Sequence, residues 1–355
     1  MNPHSHKVIK VLVVDDSQAV AEFLMHVLNA DPSIQVVGIA SNGEEGLEAT
    51  LRTKPDVITM DIYMPKVNGF EATRTIMETR PTPIVIVSGS TSVDEVATNF
   101  RAMEAGALAV VARPPGLGHP DHEVQTKELV ATVKLMSEVK VVKRWPRTKF
   151  RQARSNMPQV GAKTSPGAIQ VAAIGASTGG PLVLQTILSN LSRDFAVPVL
   201  IVQHMTPGFV EGFVEWLAHS SGFPVRVATA SETLLPGHAY VAPDDFHMGV
   251  SMDRRILLTR EVKEHGTRPS VSFLFRSVKA VFGPHAVGVL LTGMGRDGAE
   301  ELKALKDGGA ITIAQDKESS VVHGMPGQAI QIGAAVQVLP PEAIAKILPT
   351  MVTKA

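Results

Sequence analysis

The chain has 355 residues, 34 Lys and Arg against 34 Asp and Glu, and no cysteine. That length suggests two domains, the zero net charge argues against a dominant nucleic-acid role, which needs a basic surplus, and the missing thiols remove disulfides, thiolate metal sites and cysteine catalysis. Hydrophobic residues at 44% and charged residues at 19% describe a globular chain, no apolar run nears the ~20 residues of a membrane helix, and MNPHSHKVIKVLVVDD meets two aspartates before a signal core is complete. A soluble, cytoplasmic protein without membrane insertion is the expectation.

In chain order, Val11-Leu12-Val13-Val14 reads as a buried strand, and Val20, Phe23, Leu24, Val27 and Leu28 fall on one helical face. Apolar runs at Val36-Val37, Val57-Ile58, Ile84–Val87 and Leu108–Ala112 follow, separated by helical stretches. Five βα units around a parallel sheet are predicted. From Lys134 to Lys163 there are nine Lys or Arg and one acid, Glu138, and the later part of this stretch has Pro, Gly and Ser without apolar period. It reads as a linker over 143–167. A second alternating region carries strands at Val171–Ile174, Val199–Val202, Val287–Leu291 and Ala310–Ala314, with helices at Pro181–Leu191, Ser270–Val281 and Gly298–Asp307.

Asp15 and Asp16 end the first strand and Asp61 the third, so three carboxylates meet at the carboxyl edge, where open α/β sheets bind ligands. Such a set repels itself. A Mg²⁺ ion, which takes a few carboxylates plus water and phosphate oxygens, resolves the conflict, and an aspartate so neutralised can accept a phosphoryl group. Ser88 and Arg113, at the ends of the fourth and fifth strands, supply a hydroxyl and a cation for phosphate oxygens. Ser17 reads as a helix cap.

With VLVVDDS, DVITMDIYMPKVNGFEA, IVIVSGS and GALAVVARP in that order, and Ser88 and Arg113 at 27 and 52 residues past Asp61, residues 7–142 resemble the response-regulator receiver domain. The resemblance implies a flavodoxin-like fold, phosphorylation of Asp61 by a histidine kinase, and Mg²⁺ on Asp15, Asp16, Asp61 and the Tyr63 carbonyl. It also implies a phosphate switch at Ser88 and Arg113, where the family usually has Lys for Arg113; a planar fork then replaces a point donor. The bond to Pro114 is a candidate for cis.

After the strand from Val171, Gly175, Ser177 and Gly179 fit G-x-S-x-G, a turn that exposes a serine hydroxyl and aims helix amides at developing negative charge. His204 follows the strand at Val199, and Asp297 the strand at Val287. Nucleophile, base and orienting acid would thus share one sheet edge. A phosphate-binding turn and a non-catalytic adaptor domain are the rivals; a dinucleotide site is disfavoured because 175–180 lacks G-x-G-x-x-G.

Residues 168–355 carry IGASTGGP, VPVLIVQHMTPGF, LLPGHAYVAPDDFHM, RPSVSFLF, VGVLLTGMGRDGA and ITIAQDKESSVVHGMP, and are similar to the chemotaxis protein-glutamate methylesterase catalytic domain. Receiver, linker and this domain together are characteristic of that family. The resemblance implies two doubly wound parallel-sheet α/β domains, the second Rossmann-like. It implies Ser177 as nucleophile, His204 as base, Asp297 as its partner, Thr178 and Met294 at the oxyanion, and no cofactor in the catalytic domain. Its substrates would be γ-glutamyl methyl esters, and glutamines, on methyl-accepting chemotaxis receptors. Family departures stand at Ser272, His323 and Gln328, usually Asp, an aromatic residue and Glu; none is expected to touch the triad, and the effect expected of them is on substrate binding.

Overall fold

The computed structural model describes residues 7–90, 92–141 and 169–352; the expected linker over 143–167 lies outside them. The first region runs β1 (Ile9–Val14), α1 (Gln18–Asn29), β2 (Ile34–Ala40), α2 (Gly43–Thr53), β3 (Val57–Met60), α3 (Gly69–Thr79), β4 (Ile84–Ser88), α4 (Val93–Ala105), β5 (Ala109–Ala112) and α5 (His122–Ser137). Its five strands are parallel, in the order β2-β1-β3-β4-β5. All of β3 and β4 is buried, as a sheet covered by helices on both faces requires. The helices dock by apolar stripes at three- and four-residue spacing; in α1 these are Ala21, Leu24, Val27 and Leu28. Ser17 stands at the α1 N-cap, but its side chain makes no cap bond. Its backbone N–H instead donates to the Asp15 carboxylate at 3.0 Å, because that acceptor is two residues away. The bond to Pro114 is trans, the default for X-Pro; among the described residues the one cis bond is Arg268–Pro269.

The second region continues with β6 (Val171–Ala176), α6 (Gly180–Leu188), β7 (Val199–Gln203), α7 (Val210–Ser221), β8 (Val225–Val227), β9 (Ala239–Val241), β10 (His247–Val250), β11 (Ile256–Thr259) and α8 (Val271–Phe282). It closes with β12 (Ala286–Leu290), α9 (Ala299–Asp307), β13 (Ile311–Gln315), α10 (Met325–Gln331), β14 (Gln337–Leu339) and α11 (Pro341–Met351). Seven parallel strands are ordered β14-β13-β12-β6-β7-β9-β8, and β10 and β11 form an antiparallel hairpin beside them. Strands β6, β7 and β12 are buried throughout. The chain reverses its direction of travel across the sheet between β6 and β12, the place where such folds put their sites.

The two regions share one core. Val96, Ala97, Phe100 and Met103 of α4 pack into the same cluster as Phe213, Trp216 and Leu217 of α7. Phe100 stacks on Trp216 at 5.6 Å and tilts onto Phe213 at 5.3 Å, contacts worth about 0.5–1.5 kcal/mol each beyond their burial. The Trp216 indole N–H and the Gln185 amide donate to Glu104, at 3.0 and 3.2 Å. Thr206 donates to Glu128 of α5 at 2.8 Å, and burial raises the Glu128 carboxyl against that bond. Val321 and Val322 lie against the core beneath α1 and α5.

Candidate active site and receiver site

The last register pair of β6 and β7 is Ala176 with Gln203. The ladder goes one bond further, with His204 N–H donating to the Ala176 carbonyl at 2.9 Å. Ser177 and His204 therefore leave neighbouring parallel strands side by side, with backbones on the order of 5 Å apart. Ser177 is held by its own N–H, which donates to the Thr292 carbonyl at 3.0 Å, and by a tight turn in which Gly180 N–H donates to the Ser177 carbonyl at 2.8 Å. Both Ser177 and Thr178 are half-buried. The loop after β12 comes in from the other side. Thr292 donates its hydroxyl to the Thr178 carbonyl at 2.9 Å. Gly293 lies so close that a Cβ there would stand 2.6 Å from the Ser177 Cβ, so only glycine fits that approach. Met294, next in the loop, is exposed.

Asp297 is 3% exposed and accepts four hydrogen bonds. Its Oδ2 takes His204 Nε2 at 2.9 Å and the Val271 N–H at 2.7 Å; its Oδ1 takes the Ser270 hydroxyl and the Ser272 N–H, each at 2.9 Å. Asp297 thus caps the start of α8, rather than the α9 that follows it in sequence, and the positive end of that helix favours its charge. Burial opposes ionisation, but the hydrogen bond and charge of His204, with the Ser272 amide, outweigh it and hold the carboxyl well below its ordinary value. Asp297 therefore occupies the Nε2 side of the His204 ring. Thr267 Oγ1 lies 3.5 Å from the same Nε2. Ser272 Oγ accepts Gly298 N–H at 2.9 Å and donates to Glu301 at 2.6 Å, closing the cage. His323 bridges Gly293, and burial with the Lys317 charge lowers its imidazole from the ordinary value.

Ser270, Thr267, Thr292 and Gln203 are contacts that sequence reading did not assign, and Ser272, expected to stay clear of the triad, instead touches it, because its N–H lies in the first turn of α8 that Asp297 caps. Two carry a signal in hindsight: Gln203 and Thr292 are polar residues ending otherwise apolar strand runs, VLIVQ and GVLLT.

In the first region, Asp15, Asp16 and Asp61 follow β1 and β3, adjacent strands at the switch point. Burial pushes the Asp15 carboxyl up to about 6, and the charges of Asp61 and Asp16 add to it. Burial and the Asp16 charge raise Asp61 too, while the amides of Ile62 and Tyr63 and the Arg113 cation pull it back. Ser88 is buried, and Arg113 N–H donates to the Ser88 carbonyl at 2.7 Å. The Arg113 guanidinium lies over Gly89, where a side chain would collide with it. Among the described residues, no group of three or more His, Asp or Glu side chains is gathered tightly enough to hold a metal ion unaided. An open, mutually repelling carboxylate set is nevertheless the donor chemistry that suits Mg²⁺, which keeps waters and phosphate oxygens as its other ligands.

Two parallel-sheet α/β domains, an acidic switch point in one and a Ser, His and Asp edge in the other, define a receiver coupled to a hydrolase-type output. Residues 11–119 match the family model described as the response regulator receiver domain, and residues 172–348 the one described as CheB methylesterase. A protein-glutamate methylesterase/protein-glutamine glutaminase of Nitrosospira multiformis is 56% identical over 346 residues, covering 98% of each chain. One from Geobacter metallireducens is also 56% identical, covering 97% of this chain and 99% of its own. The crystal structure of the Thermotoga maritima CheB methylesterase catalytic domain aligns with a TM-score of 0.51 at 36% identity, covering 52% of this chain and all of that one. The chain belongs to the protein-glutamate methylesterase/protein-glutamine glutaminase family, enzymes of the hydrolase class. No helix among the described residues is long and apolar enough to cross a membrane.

Proposed function

We propose that this chain is a cytoplasmic, phosphorylation-controlled methylesterase that hydrolyses γ-glutamyl methyl esters on methyl-accepting chemotaxis receptors and deamidates receptor glutamines. Ser177 is the nucleophile. His204, held through Nε2 by Asp297, takes the serine proton on Nδ1 as the hydroxyl oxygen attacks the ester carbonyl. The N–H groups of Thr178 and Met294 receive the oxyanion. The imidazolium gives the proton to the methoxy oxygen, which leaves as methanol, or to the amide nitrogen, which leaves as ammonia. Water, deprotonated by the same base, then attacks the acyl-enzyme, Ser177 recovers its proton, and the receptor keeps a glutamate side chain. The observation that carries this reading is the 2.9 Å bond from His204 to a four-fold hydrogen-bonded Asp297, at the edge where Ser177 leaves the adjacent strand.

Control is assigned to a receiver over 7–142, joined through 143–167 to a catalytic domain over 168–355. Asp61 accepts the phosphoryl group from a chemotaxis histidine kinase. Mg²⁺ held by Asp15, Asp16, Asp61 and the Tyr63 carbonyl would neutralise charge between acid and phosphate. Ser88 and Arg113 bind the phosphoryl oxygens. The packing of α4 on α7 and the bond that Thr206, two residues beyond His204, donates to Glu128 support a coupling of the two ends. The test is methanol release from methylated receptor membranes and ammonia release from receptor glutamine. Ser177→Ala is expected to abolish both with an unchanged melting curve; hydrolysis surviving in that variant moves the nucleophile elsewhere.

A further inference from the structure

Nucleophilic attack requires Ser177 and His204 at a fixed separation, but the β6–β7 register ends one residue before them, at Ala176 and Gln203. Beyond that pair the carbonyls of Ser177 and His204 have left the ladder. One side chain takes up both. Gln203 Nε2 donates to the Ser177 carbonyl at 2.9 Å and to the His204 carbonyl at 2.8 Å. A primary amide nitrogen has two hydrogens, so both bonds are full ones. The reverse orientation would set the amide oxygen against two carbonyl oxygens, so the hydrogen-bond pattern fixes how the amide lies. The side chain is 3% exposed, and its Oε1 has no hydrogen-bond partner. An unpaired buried acceptor is unfavourable, which makes the residue hard to account for as packing alone. The oxygen is seated against Gly180, where any Cβ would overlap it. Gly180 in turn donates its N–H to the same Ser177 carbonyl at 2.8 Å.

We propose that Gln203 is a positioning residue: its amide is a strut tying the nucleophile turn to the base's loop and setting the approach of Ser177 to His204, and Gly180 is the space in which the strut seats. This rests on the reading of Ser177 and His204 given above. The residue acts through the two catalytic groups and touches no substrate atom, so its loss alters turnover rather than affinity.

The experiment uses the full chain and methylated receptor membranes. Gln203→Leu, which keeps the volume and deletes both bonds, is expected to lower kcat about 10²-fold, the cost of a misplacement near 1 Å. KM and the melting temperature should stay close to wild type, and labelling of Ser177 by a fluorophosphonate should slow in parallel with kcat. Gly180→Ala is expected to lose at least as much, because its Cβ would overlap the strut and also stand 2.8 Å from the Ala176 Cβ. Should the leucine variant not fold, Gln203→Asn, one methylene short of spanning both carbonyls, is read in the same way. Wild-type kcat in Gln203→Leu or Gln203→Asn overturns the inference, as does a kcat loss matched by an equal rise in KM. If Ser177→Ala is inert while the Gln203 variants turn over normally, this inference alone falls; if Ser177→Ala is active, the mechanism falls and takes the strut with it.

Discussion

At the residue scale, the decisive side chain is Asp297. It has four donors and almost no exposure, so it can neither leave its charge nor change its direction. Asp297→Asn would present an amide N–H where His204 Nε2 now donates, forcing the other tautomer and placing a proton on the nitrogen proposed as base. A loss of about 10⁴-fold in kcat is expected, with little change in KM; a variant within tenfold of wild type would remove Asp297 from the mechanism. The same residue sets an acid limit. A carboxyl held below its ordinary value of 3.8 stabilises the fold wherever it is ionised. That contribution is complete above pH ~4 and drains away as pH falls from there toward the lowered folded value. Melting temperature measured against pH should therefore fall more steeply below pH ~4 in the wild type than in Asp297→Asn; parallel curves would contradict the assignment.

At the scale of elements, α4 and α7 carry the relation between the two sheets. Each is an amphipathic helix of its own domain, yet Val96 is fully buried and Gly212 is pressed so close to it that a Cβ would stand 2.5 Å from the Val96 Cβ. Val96→Asp puts a carboxylate into that apolar seam, a penalty of several kcal/mol. If docking of the receiver restrains the esterase, methanol release without phosphodonor should rise severalfold in this variant and respond less to phosphodonor. Basal activity equal to wild type, with the variant folded, would argue that the seam carries no restraint. The seam was not visible in the sequence. Phe100, Phe213 and Trp216 have the spacing of ordinary core residues, and nothing in a one-dimensional pattern tells a core contact from an interdomain one.

On the scale of the whole molecule, the two switch-point edges belong to different sheets, and the reaction at one is proposed to answer to charge at the other. Asp61→Asn keeps the shape of the acceptor and removes its nucleophilic oxygen anion. In the full chain with Mg²⁺ and a small-molecule phosphodonor, wild-type hydrolysis should rise and the variant should remain at basal rate, with the Ser177-dependent basal activity itself intact. Activation of Asp61→Asn by phosphodonor would relocate the switch. Population shift of this kind needs only a differential affinity of the modified receiver for its docked state.

The sequence by itself determined the two parallel-sheet domains and the strand exits holding Asp15, Asp61, Ser88, Ser177 and His204, because buried parallel strands write continuous apolar runs and their carboxyl ends are read directly from where those runs stop. It did not yield β8, β9 and β14, each three residues long and too short to show a period, nor the hairpin of β10 and β11, nor α10 and α11, nor α7, whose docking face is also an interdomain surface. Only the tertiary structure decided that Asp297 caps α8 instead of α9, that Ser17 leaves its cap to Asp15, that one glutamine spans the carbonyls of Ser177 and His204, and that two domains share a core. Each of these depends on the meeting of groups distant along the chain or on a choice between local partners of similar chemistry, and such choices are made by packing.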